Sequence, residues 1–462
     1  MGKRCNFSVV MHFKRKKIAI LGFGREGRVL LNFFKKEGFS SSQITVCDQN
    51  PIELKDVSVR SGDDYLKHLD GFDVVFKSPG IPTMSPDIQR ALKRGVVMSS
   101  STNLFFDLCK GTIVGVTGTK GKGTTSTMLC TILKTAKRRA FLLGNIGKPA
   151  LQYVSKIKKG DVVVMELSSF QLQNLRKSPH IAIVLDVTQD HLDHHKNIKE
   201  YRDAKLNIVK YQKRGDIAIF DRDSAVVRSF TKYIKGKVFY FGTKEKTFVT
   251  SSDLNVPGVH NIKNASAAAL AAQQLGVSRE IILKGLKKFK GNEHRLEFVA
   301  EKNGVRFYND SAATNPDSTI AALRSFHEPK VLIVGGRNKG FSYAKLAKEI
   351  VKSDMRSVIL IGETKNLLLT ELKNNLWELN THKLLERIFL VETLSDAVRS
   401  AYKIVQSGDV VLYSPAAASF DMFRNYEERG RMFKKLVQEK IKSQKSPPEA
   451  DPTLAEKPQF KI

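Results

Sequence analysis

Short runs of β-branched and other apolar residues recur along the chain, between segments long enough to form helices. The pattern predicts strands at KIAILGF, QITVCD, DVVFKS, TIVGVTG, DVVVMEL, IAIVLDV, DIAIFD, GVRFYND, KVLIVGG, SVILIG and DVVLYSP. Such an alternation of strands and helices is typical of parallel sheets with crossover helices. Because these strands are too many for one sheet, we predict an α/β protein with more than one domain.

Breaks rich in charge and glycine, near residues 109–111 and 290–292, divide the chain into three α/β blocks. A length of 462 residues exceeds the size at which one hydrophobic core stops growing, which agrees with this division. We therefore predict three domains, at residues 14–108, 109–291 and 292–441.

The two ends of the chain differ from these blocks. Residues 442–462 are rich in proline and charge and poor in apolar residues, so a disordered tail is expected. Residues 1–10 are expected to be a flexible arm, or to precede a true start at Met11.

The composition indicates a protein of the cytoplasm that does not insert into membranes. Apolar runs span four to six residues, whereas a membrane-spanning helix needs about 20, and the N-terminus lacks the apolar core of a signal peptide. The four cysteines lie far apart without a CxxC pair, which argues against disulfides and against a zinc site.

The formal net charge of +31 raises the possibility of nucleic-acid binding. The basic residues are spread through the whole chain, however, and no aromatic residues are interleaved with the lysine-rich stretches. We therefore expect a basic, solvated surface and no nucleic-acid partner. A mobility shift that survives moderate salt would favour the alternative.

A first glycine-rich loop follows the first predicted strand. Gly22, Gly24 and Gly27 have GxGxxG spacing, and Asp48 ends the next strand. This arrangement is typical of a dinucleotide site, where a helix N-terminus meets a pyrophosphate and the acid meets a ribose hydroxyl. The geometry suits any nucleoside diphosphate, so an NAD-dependent oxidoreductase is one alternative, and a turn without a ligand is another. Gly80, in FKSPGIP, forms a further sharp turn at a strand end.

A second loop, GTKGKGTT, begins at Gly118 and predicts a site for a nucleoside triphosphate. Its glycines allow backbone N–H groups to point at phosphate oxygens, and Lys122 adds a positive charge. The loop departs from the full phosphate-binding pattern, since Val116 replaces a glycine and Gly123 stands where a hydroxyl would meet magnesium. Thr124 or Thr125 would have to provide that hydroxyl.

Candidate magnesium ligands follow later strands. Glu166 ends the strand in VVVMEL, and Asp190, His191 and Asp193 follow another strand. Hard cations prefer such oxygen ligands. Taken alone, His191 would be an ordinary surface histidine, and Lys205 in YRDAKLNIV would be a solvated charge on a helix.

With these residues in place, the chain resembles the Mur ligase family from about Lys17 to Phe433. The shared motifs occur in the family's order: GNIG, ELSSFQL, DHLDHH, AKLNIV, GVHNIKNASAA, HRLE, NDSAATN, GGRNKG and SPAAASFDMFRNYEERG. ELSSFQL together with NDSAATN is most similar to the branch of the family that adds D-glutamate.

The resemblance implies a fold and a reaction. It implies a Rossmann-like N-terminal domain that binds a UDP-sugar, a central P-loop ATPase-like domain, and a Rossmann-like C-terminal domain that closes on ATP and binds D-glutamate. ATP would phosphorylate the carboxylate of UDP-N-acetylmuramoyl-L-alanine, and the D-glutamate amine would attack the acyl phosphate, releasing ADP and phosphate. This ADP-forming ligase would act in peptidoglycan precursor synthesis as a monomer with two Mg²⁺ ions.

The resemblance also assigns site residues, position by position. Those of the UDP-sugar site are Gly22, Gly24, Asp48, Gly80 and Asn145. Those of the ATP site are Gly118, Thr119, Lys120, Gly121, Lys122, Gly123, Thr124, Asn261, His294, Arg295 and Asp310. The D-glutamate site comprises Thr314, Lys339, Ser419 and Tyr426. Magnesium would be held by Thr124, Glu166, His191 and a carbamate on Lys205, and the catalytic set is Lys122, Glu166, His191 and Lys205.

Two positions depart from the family pattern. Ala312 stands where the family often has lysine, and Gly123 is similar to the loop of folylpolyglutamate synthase, a relative with the same ATP chemistry. That relative would not be expected to carry a complete Rossmann-like block before its ATP loop. Residues 17–108 therefore favour the UDP-sugar ligase.

Overall fold

The computed structural model describes residues 7–145, 148–188, 196–256, 258–378 and 382–443. The chain divides into two compact units. The first consists of Met1–Asp253 and His260–Lys288, and the second of Leu254–Val259 and Phe289–Ile462.

The first sheet of the first unit is parallel and has five strands, in the order β3-β2-β1-β4-β5. The strands are β1 (Ile18–Leu21), β2 (Ile44–Asp48), β3 (Ser58–Ser61), β4 (Val74–Lys77) and β5 (Val97–Ser99). The accompanying helices are α1 (Phe7–Phe13), α2 (Arg25–Lys36), α3 (Pro86–Lys93) and α4 (Ser101–Leu108). From β1 the chain continues to β2 and β3 on one side of it and then crosses to β4 and β5 on the other side. The end of β1 therefore lies at a topological switch point, where open α/β sheets bind ligands.

Helix α1 corrects the expectation for the N-terminus. Residues 7–10 were expected to belong to a flexible arm, but they form part of this helix, and Val10 is buried with only 6% of its surface exposed. The ring of Phe13 packs edge-on against Phe76 with their centroids 5.5 Å apart. Apolar contacts of this kind hold the helix on the first sheet.

The second sheet of this unit is also parallel and has six strands, in the order β11-β10-β9-β6-β8-β7. The strands are β6 (Thr112–Thr117), β7 (Ala140–Gly144), β8 (Val162–Glu166), β9 (Ile181–Val184), β10 (Ile217–Asp221) and β11 (Lys237–Phe241). Its helices are α5 (Lys122–Thr135), α6 (Ser169–Gln173), α7 (Ile198–Lys210), α8 (Ala225–Ser229), α9 (Val259–Gln274) and α10 (Arg279–Lys288). β6 lies between β8 and β9 and therefore marks a second switch point.

The second unit contains a mixed sheet in the order β12-β13-β17-β14-β15-β16. The strands are β12 (Glu297–Lys302), β13 (Val305–Asn309), β14 (Lys330–Val334), β15 (Met355–Ile361), β16 (Ile388–Val391) and β17 (Val410–Tyr413). Its helices are α11 (Pro316–Leu323), α12 (Ala344–Lys352), α13 (Lys365–Glu378), α14 (Leu394–Ile404) and α15 (Tyr426–Ser443). β12 is antiparallel to β13, and their register shifts between Phe298 and Ala300.

The predicted α/β fold class is confirmed, and every strand predicted from the apolar runs is present. The structure adds β3, β5, β7, β11, β12 and β16, which the pattern did not predict. In the described parts of the chain, none of the helices combines the length and apolarity needed to cross a bilayer.

Candidate active site

The first glycine-rich loop is held tightly against the turn that follows β4. Gly22 has a φ of +90°, and a Cβ there would lie 2.8 Å from the side chain of Ser78. Ser78 Oγ donates to the Gly22 carbonyl at 2.9 Å. A Cβ at Gly27 would lie 2.1 Å from the same carbonyl oxygen, so both positions require glycine. Gly24 immediately precedes α2 and is exposed, which leaves the start of this helix open to an anion.

Asp48 lies beside this loop, as its position at the end of β2 predicted. One carboxylate oxygen accepts from the backbone N–H of Phe23 at 2.6 Å, and the other accepts from the N–H of Asn50 at 2.8 Å. The carboxylate therefore fixes the backbone of the loop. Gly80, the remaining predicted residue on this side, is exposed, and the space where its Cβ would lie is open.

Two charged side chains adjoin the first loop, one buried and one half-buried, and sequence analysis did not find them. Lys77 is 3% exposed, and its Nζ donates to the carbonyl of Ile81 at 2.6 Å, which folds the turn containing Gly80. Burial lowers the pKa of Lys77 to about 8. Glu26, in the first turn of α2, accepts from Gln171 Nε2 at 3.0 Å, and burial raises its pKa.

Gln171 links this region to the motif that follows β8. Its backbone N–H donates to Ser168 Oγ and its Oε1 accepts from the Ser168 N–H, both at 3.2 Å, so the two residues form a capping box at the start of α6. Ser168 lies two residues after Glu166, the last residue of β8. The Gln171 side chain therefore contacts both Glu26, in the helix that follows the first loop, and the segment that follows Glu166.

Glu166 and Asn145, both predicted, are paired at the ends of neighbouring strands. Asn145 Nδ2 donates to Glu166 Oε1 at 2.9 Å, and the Asn145 N–H donates to the Glu166 carbonyl at 3.0 Å. Glu166 is 6% exposed, whereas Asn145 is exposed. A buried carboxylate at the carboxyl end of a strand is a suitable ligand for a hard cation.

The second loop joins β6 to α5 and has the glycine conformations that a phosphate cradle needs. Gly118 has a φ of +149° and Gly121 a φ of +83°. Lys122 Nζ donates to the carbonyls of Gly118 and Thr119, at 3.0 and 2.8 Å. Thr119 is anchored in turn by its N–H, which donates to the Asp186 carbonyl at 2.8 Å. Lys120 is exposed, and Gly123 and Thr124 are half-buried in the first turn of α5.

Lys205, which looked like a solvated helix charge in isolation, is 1% exposed. Its Nζ donates to the Gly118 carbonyl at 2.8 Å and lies 4.7 Å from the centre of the Tyr201 ring. The structure thus brings Lys205 and Lys122 to the same carbonyl of the second loop.

Helix α9 approaches this loop through a pair of asparagines. A Cβ at Gly121 would lie 2.4 Å from Asn264 Oδ1, and the Thr125 hydroxyl donates to the same oxygen at 3.3 Å. Asn264 Nδ2 donates to the predicted residue Asn261 at 3.3 Å. Asn264 was missed by sequence analysis, although its spacing of three from Asn261 on one helix was an available signal.

The predicted magnesium ligand His191, with Asp190 and Asp193, lies outside the described residues. Within the described part, no group of three or more His, Cys, Asp or Glu side chains could hold a metal ion. The magnesium set of Thr124, Glu166, His191 and carbamylated Lys205 therefore stays a prediction.

In the second unit, the predicted residue His294 lies in the turn before β12, and the predicted residue Asp310 directly follows β13, the strand that pairs with β12. Asp310 accepts from the Ser414 hydroxyl at 2.7 Å and from the Leu296 N–H at 3.1 Å. Burial raises the pKa of Asp310 to about 7. Arg295, next to His294, is exposed.

His294 is buried in a strained conformation with a φ of +66°. Asn309 Oδ1 accepts from the Ser311 N–H at 3.2 Å, which identifies Asn309 Nδ2 as the donor that lies 2.9 Å from His294 Nδ1. Burial lowers the pKa of His294. Because Nδ1 accepts from Asn309, the ring carries its proton on Nε2 when it is neutral, the form that burial favours.

The four predicted D-glutamate residues lie on three loops and the start of α15. Thr314 follows the turn after β13, where its N–H donates to the Ala312 carbonyl at 3.0 Å. Ser419 is 2% exposed, and the neighbouring Phe420 ring lies 5.5 Å from Nζ of the exposed Lys339. Tyr426 begins α15, with its ring edge-on to His294 at 6.1 Å between centroids.

Three family models match successive parts of the chain. The model described as Mur ligase MurD-like, N-terminal domain matches residues 16–100, and Mur ligase middle domain matches residues 116–254. The model described as Mur ligase, glutamate ligase domain matches residues 294–417. The matched ranges include both glycine-rich loops. They also include the candidate residues of the second unit that precede Ala417, where the third match ends.

Solved structures of Mur ligases share the fold. MurC of Thermotoga maritima has a TM-score of 0.54 at 18% identity, with 92% of this chain and 100% of that chain covered. MurF of the same organism, in complex with ADP, has a TM-score of 0.54 at 19% identity, with 92% and 95% covered.

Curated relatives are similar over nearly their whole length. The UDP-N-acetylmuramoylalanine–D-glutamate ligase of Acetivibrio thermocellus is 38% identical over 455 residues, which cover 92% of this chain and 96% of the relative. The ligase of the same name from Clostridium kluyveri is 37% identical, with 94% and 99% covered. The chain therefore belongs to the UDP-N-acetylmuramoylalanine–D-glutamate ligases, a branch of the Mur ligase family.

Proposed function

We propose that the chain is an ATP-dependent amide ligase that adds D-glutamate to UDP-N-acetylmuramoyl-L-alanine and releases ADP and phosphate. The observation that carries this proposal is the presence, in one compact unit, of two glycine-rich loops at the switch points of two parallel sheets. Two such loops suit a reaction between two anionic nucleotides. The names of the curated relatives support the same substrates.

The first loop is proposed to bind the UDP-sugar. The start of α2 after Gly24 would meet the pyrophosphate, and the turn at Gly80 would approach it from the neighbouring strand end. Asp48 already accepts two backbone N–H groups, so its main contribution is to hold the loop in shape. Asn145 would contact the substrate beside Glu166.

The second loop is proposed to bind the ATP phosphates. Residues 118–124 would surround them with backbone N–H groups, and Lys122 would exchange its two loop carbonyls for phosphate oxygens. Asn261 lies on the helix that contacts this loop. His294, Arg295 and Asp310 of the second unit would bind the same nucleotide, which requires that unit to close on ATP.

Magnesium fits the donor set near the second loop. Glu166 provides a buried carboxylate at a strand end, while Thr124, His191 and a carbamate on Lys205 would complete the set for two ions. The ions would neutralise charge on the phosphates. Lys205 in its amine form donates to a loop carbonyl, and carbamylation would turn this buried cation into an oxygen ligand.

Phosphorylation activates the L-alanyl carboxylate, which is otherwise a poor electrophile. Attack of the D-glutamate amine on the acyl phosphate forms the amide and expels phosphate. Thr314, Lys339, Ser419 and Tyr426 are proposed to hold D-glutamate, because a cation and hydroxyl groups suit a dicarboxylate. The enzyme is further proposed to act in the cytoplasm, where ATP and UDP-sugars are present, as a monomer without a nucleic-acid partner.

Phosphate release tests this function directly. We expect release with UDP-N-acetylmuramoyl-L-alanine and D-glutamate, and little release when L-glutamate or L-lysine replaces D-glutamate. A preference for L-lysine would place the chain in another branch of the family. Fluorescence enhancement of NADH on mixing would instead favour an oxidoreductase.

A further inference from the structure

Arg429 is the largest of the side chains that the structure buries completely. It lies in the first turn of α15, and its guanidinium makes four hydrogen bonds. Nε donates to Ser311 Oγ at 3.0 Å, and Nη2 donates to the carbonyls of Ser311 and Ala417 at 2.8 and 3.0 Å. Nη1 donates to the Ala418 carbonyl at 3.0 Å. Backbone carbonyls thus provide three of its four acceptors.

Burying a guanidinium among neutral acceptors is costly, because an ion loses its hydration without gaining a carboxylate partner. None of the ion pairs found among the described residues includes Arg429, and burial lowers its pKa despite the nearby Asp421 and Tyr413. A side chain maintained at such a cost needs a role that an apolar residue could not fill.

The acceptors of Arg429 belong to the segments that carry the predicted D-glutamate residues. Ser311 lies three residues before Thr314, and Ala418 immediately precedes Ser419. The Ser311 hydroxyl that accepts from Arg429 also donates to the Tyr426 carbonyl at 2.8 Å.

The segment containing Lys339 is tied to the same place. Arg337 and Ala418 exchange two backbone hydrogen bonds, at 2.9 and 3.1 Å, and the Ala418 carbonyl also accepts from Arg429. One guanidinium, carried by the first turn of α15, therefore contacts two of the relevant loops and is one hydrogen bond away from the third loop, and Ser311 ties the first of these loops to Tyr426.

We propose that Arg429 is the positioning residue of the amino-acid acceptor pocket, which it assembles by holding three loops and the start of α15 in register. The inference rests on the proposed function, because the D-glutamate residues are assigned by family resemblance. The planar fork is essential, since its five N–H groups point in fixed directions, whereas a lysine ammonium has three donors on a flexible stem. Arg429 acts through Thr314, Ser419 and Tyr426.

The test compares Arg429→Lys with Arg356→Lys. Arg356 is a half-buried arginine of the same unit, and it pairs with Asp409 through two hydrogen bonds at 2.9 and 3.0 Å, beside the amino ends of β15 and β17. Both variants should lower the melting temperature. Only Arg429→Lys should raise KM for D-glutamate, by about tenfold or more, while KM for ATP and for the UDP-sugar stays within about twofold.

Equal rises in all three KM values, or an unchanged KM for D-glutamate, would overturn the inference. Should Arg429→Lys fail to fold, Ser311→Ala removes the hydroxyl that joins Arg429 to the Tyr426 carbonyl but keeps the Ser311 carbonyl as an acceptor, and it should raise KM for D-glutamate by a few-fold. Failure of the proposed function has a different signature, since the wild-type enzyme would then release no phosphate with D-glutamate.

Hydrogen exchange tests the same role without substrate. Arg429→Lys, or Ser311→Ala in its place, should accelerate exchange in residues 310–315, 335–340 and 414–420 relative to Arg356→Lys. Unchanged protection of these loops would contradict a positioning role even if the proposed reaction were wrong.

Discussion

Lys122 shows how a single side chain can maintain a phosphate loop before its ligand arrives. Its ammonium binds the carbonyls of Gly118 and Thr119, which are the groups that an incoming phosphate would replace as its partners. Lys122→Ala is expected to lower kcat by about 100-fold or more, because the cation acts mainly on the transferring phosphoryl group. Phosphate release measures the effect, and the melting temperature should change little. Lys134→Ala, at an exposed position in the last turn of the same helix, serves as the control, and an unchanged kcat for Lys122→Ala would refute the assignment.

The assignment of Asp310 to the ATP site predicts that the binding of ATP depends on pH. Burial raises the pKa of its carboxyl to about 7, so the group is largely protonated in mildly acidic solution and can then accept fewer hydrogen bonds from the nucleotide. KM for ATP should therefore fall as the pH rises from about 6 to about 8. Asp310→Asn should remove this dependence, and an equally steep profile in the variant would contradict the role.

The same carboxyl affects stability with a defined sign. Between about pH 4 and about pH 7 the folded state holds a proton that the unfolded state has released, so this group's contribution to stability is lost as the pH rises through that window. Thermal unfolding of Asp310→Asn should show a weaker decline over the same range.

Lys205 is expected to carry a carbamate in the active enzyme. Its amine is buried beside the Gly118 carbonyl, where a positive charge would repel magnesium. Lys205→Ala should be nearly inactive and should be partly rescued by millimolar formate or acetate, whose carboxylate can occupy the vacated space. Lys205→Arg keeps the positive charge and should not be rescued. Ordinary activity of Lys205→Arg would exclude the carbamate.

Sequence analysis found the site residues that lie in glycine-rich loops or recognisable motifs, and it missed those defined by tertiary contacts. Asn264 belongs to the candidate site because its amide oxygen approaches Gly121. Glu26 belongs to it because Gln171, which is distant in the sequence, donates a hydrogen bond to its carboxyl group. The burial of the charged groups of Lys77, Lys205 and Arg429 could not be predicted from the sequence either, since it depends on the residues that pack around each of them.

At the scale of the element, whether a strand was predicted from the sequence depended on its position in the sheet. Each of the three sheets has two outermost strands, and these are the six that the apolar pattern missed: β3, β5, β7, β11, β12 and β16. Inner strands such as β1 and β14 are buried at every position, whereas β3 (Ser58–Ser61) is buried at none. An outermost strand is covered by fewer neighbours, so it can keep polar residues that weaken the apolar pattern, as β3 (SVRS) and β12 (EFVAEK) do. This explanation does not apply to β7 (AFLLG) and β16 (IFLV), which are apolar.

The crossing of α5 and α10 is expected to tolerate no side chain at Gly285. A Cβ there would lie 2.7 Å from Ile132 Cα, which is backbone and cannot rotate away. Gly285→Ala should destabilise the fold by about 1–3 kcal/mol through overpacking, although alanine favours helices. Chemical denaturation measures the change. Lys284→Ala, at an exposed position of the same helix, should stay within about 0.5 kcal/mol of the wild type. Equal stability of Gly285→Ala would mean that the helices can separate freely.

At the scale of the whole molecule, the proposed ATP site draws residues from both compact units. Lys122 and Asn261 belong to the first, while Arg295 and Asp310 belong to the second. We expect the radius of gyration in small-angle scattering to fall when an ATP analogue and the UDP-sugar are bound together. The UDP-sugar alone, which would contact only the first unit, is the control and should cause a smaller change. An unchanged radius with both ligands would argue against closure.

The outermost strands also bear on whether copies of the chain can join into fibres. An open strand edge offers unpaired backbone groups on which another molecule could continue the sheet, and short, charged or bulged edges prevent this. β5 has three residues, and β11 begins with a lysine. β12 combines the register shift at Phe298 and Ala300 with charged residues at both ends. In β12, the charged residues that weaken the apolar pattern of the sequence therefore also protect this sheet edge against aggregation.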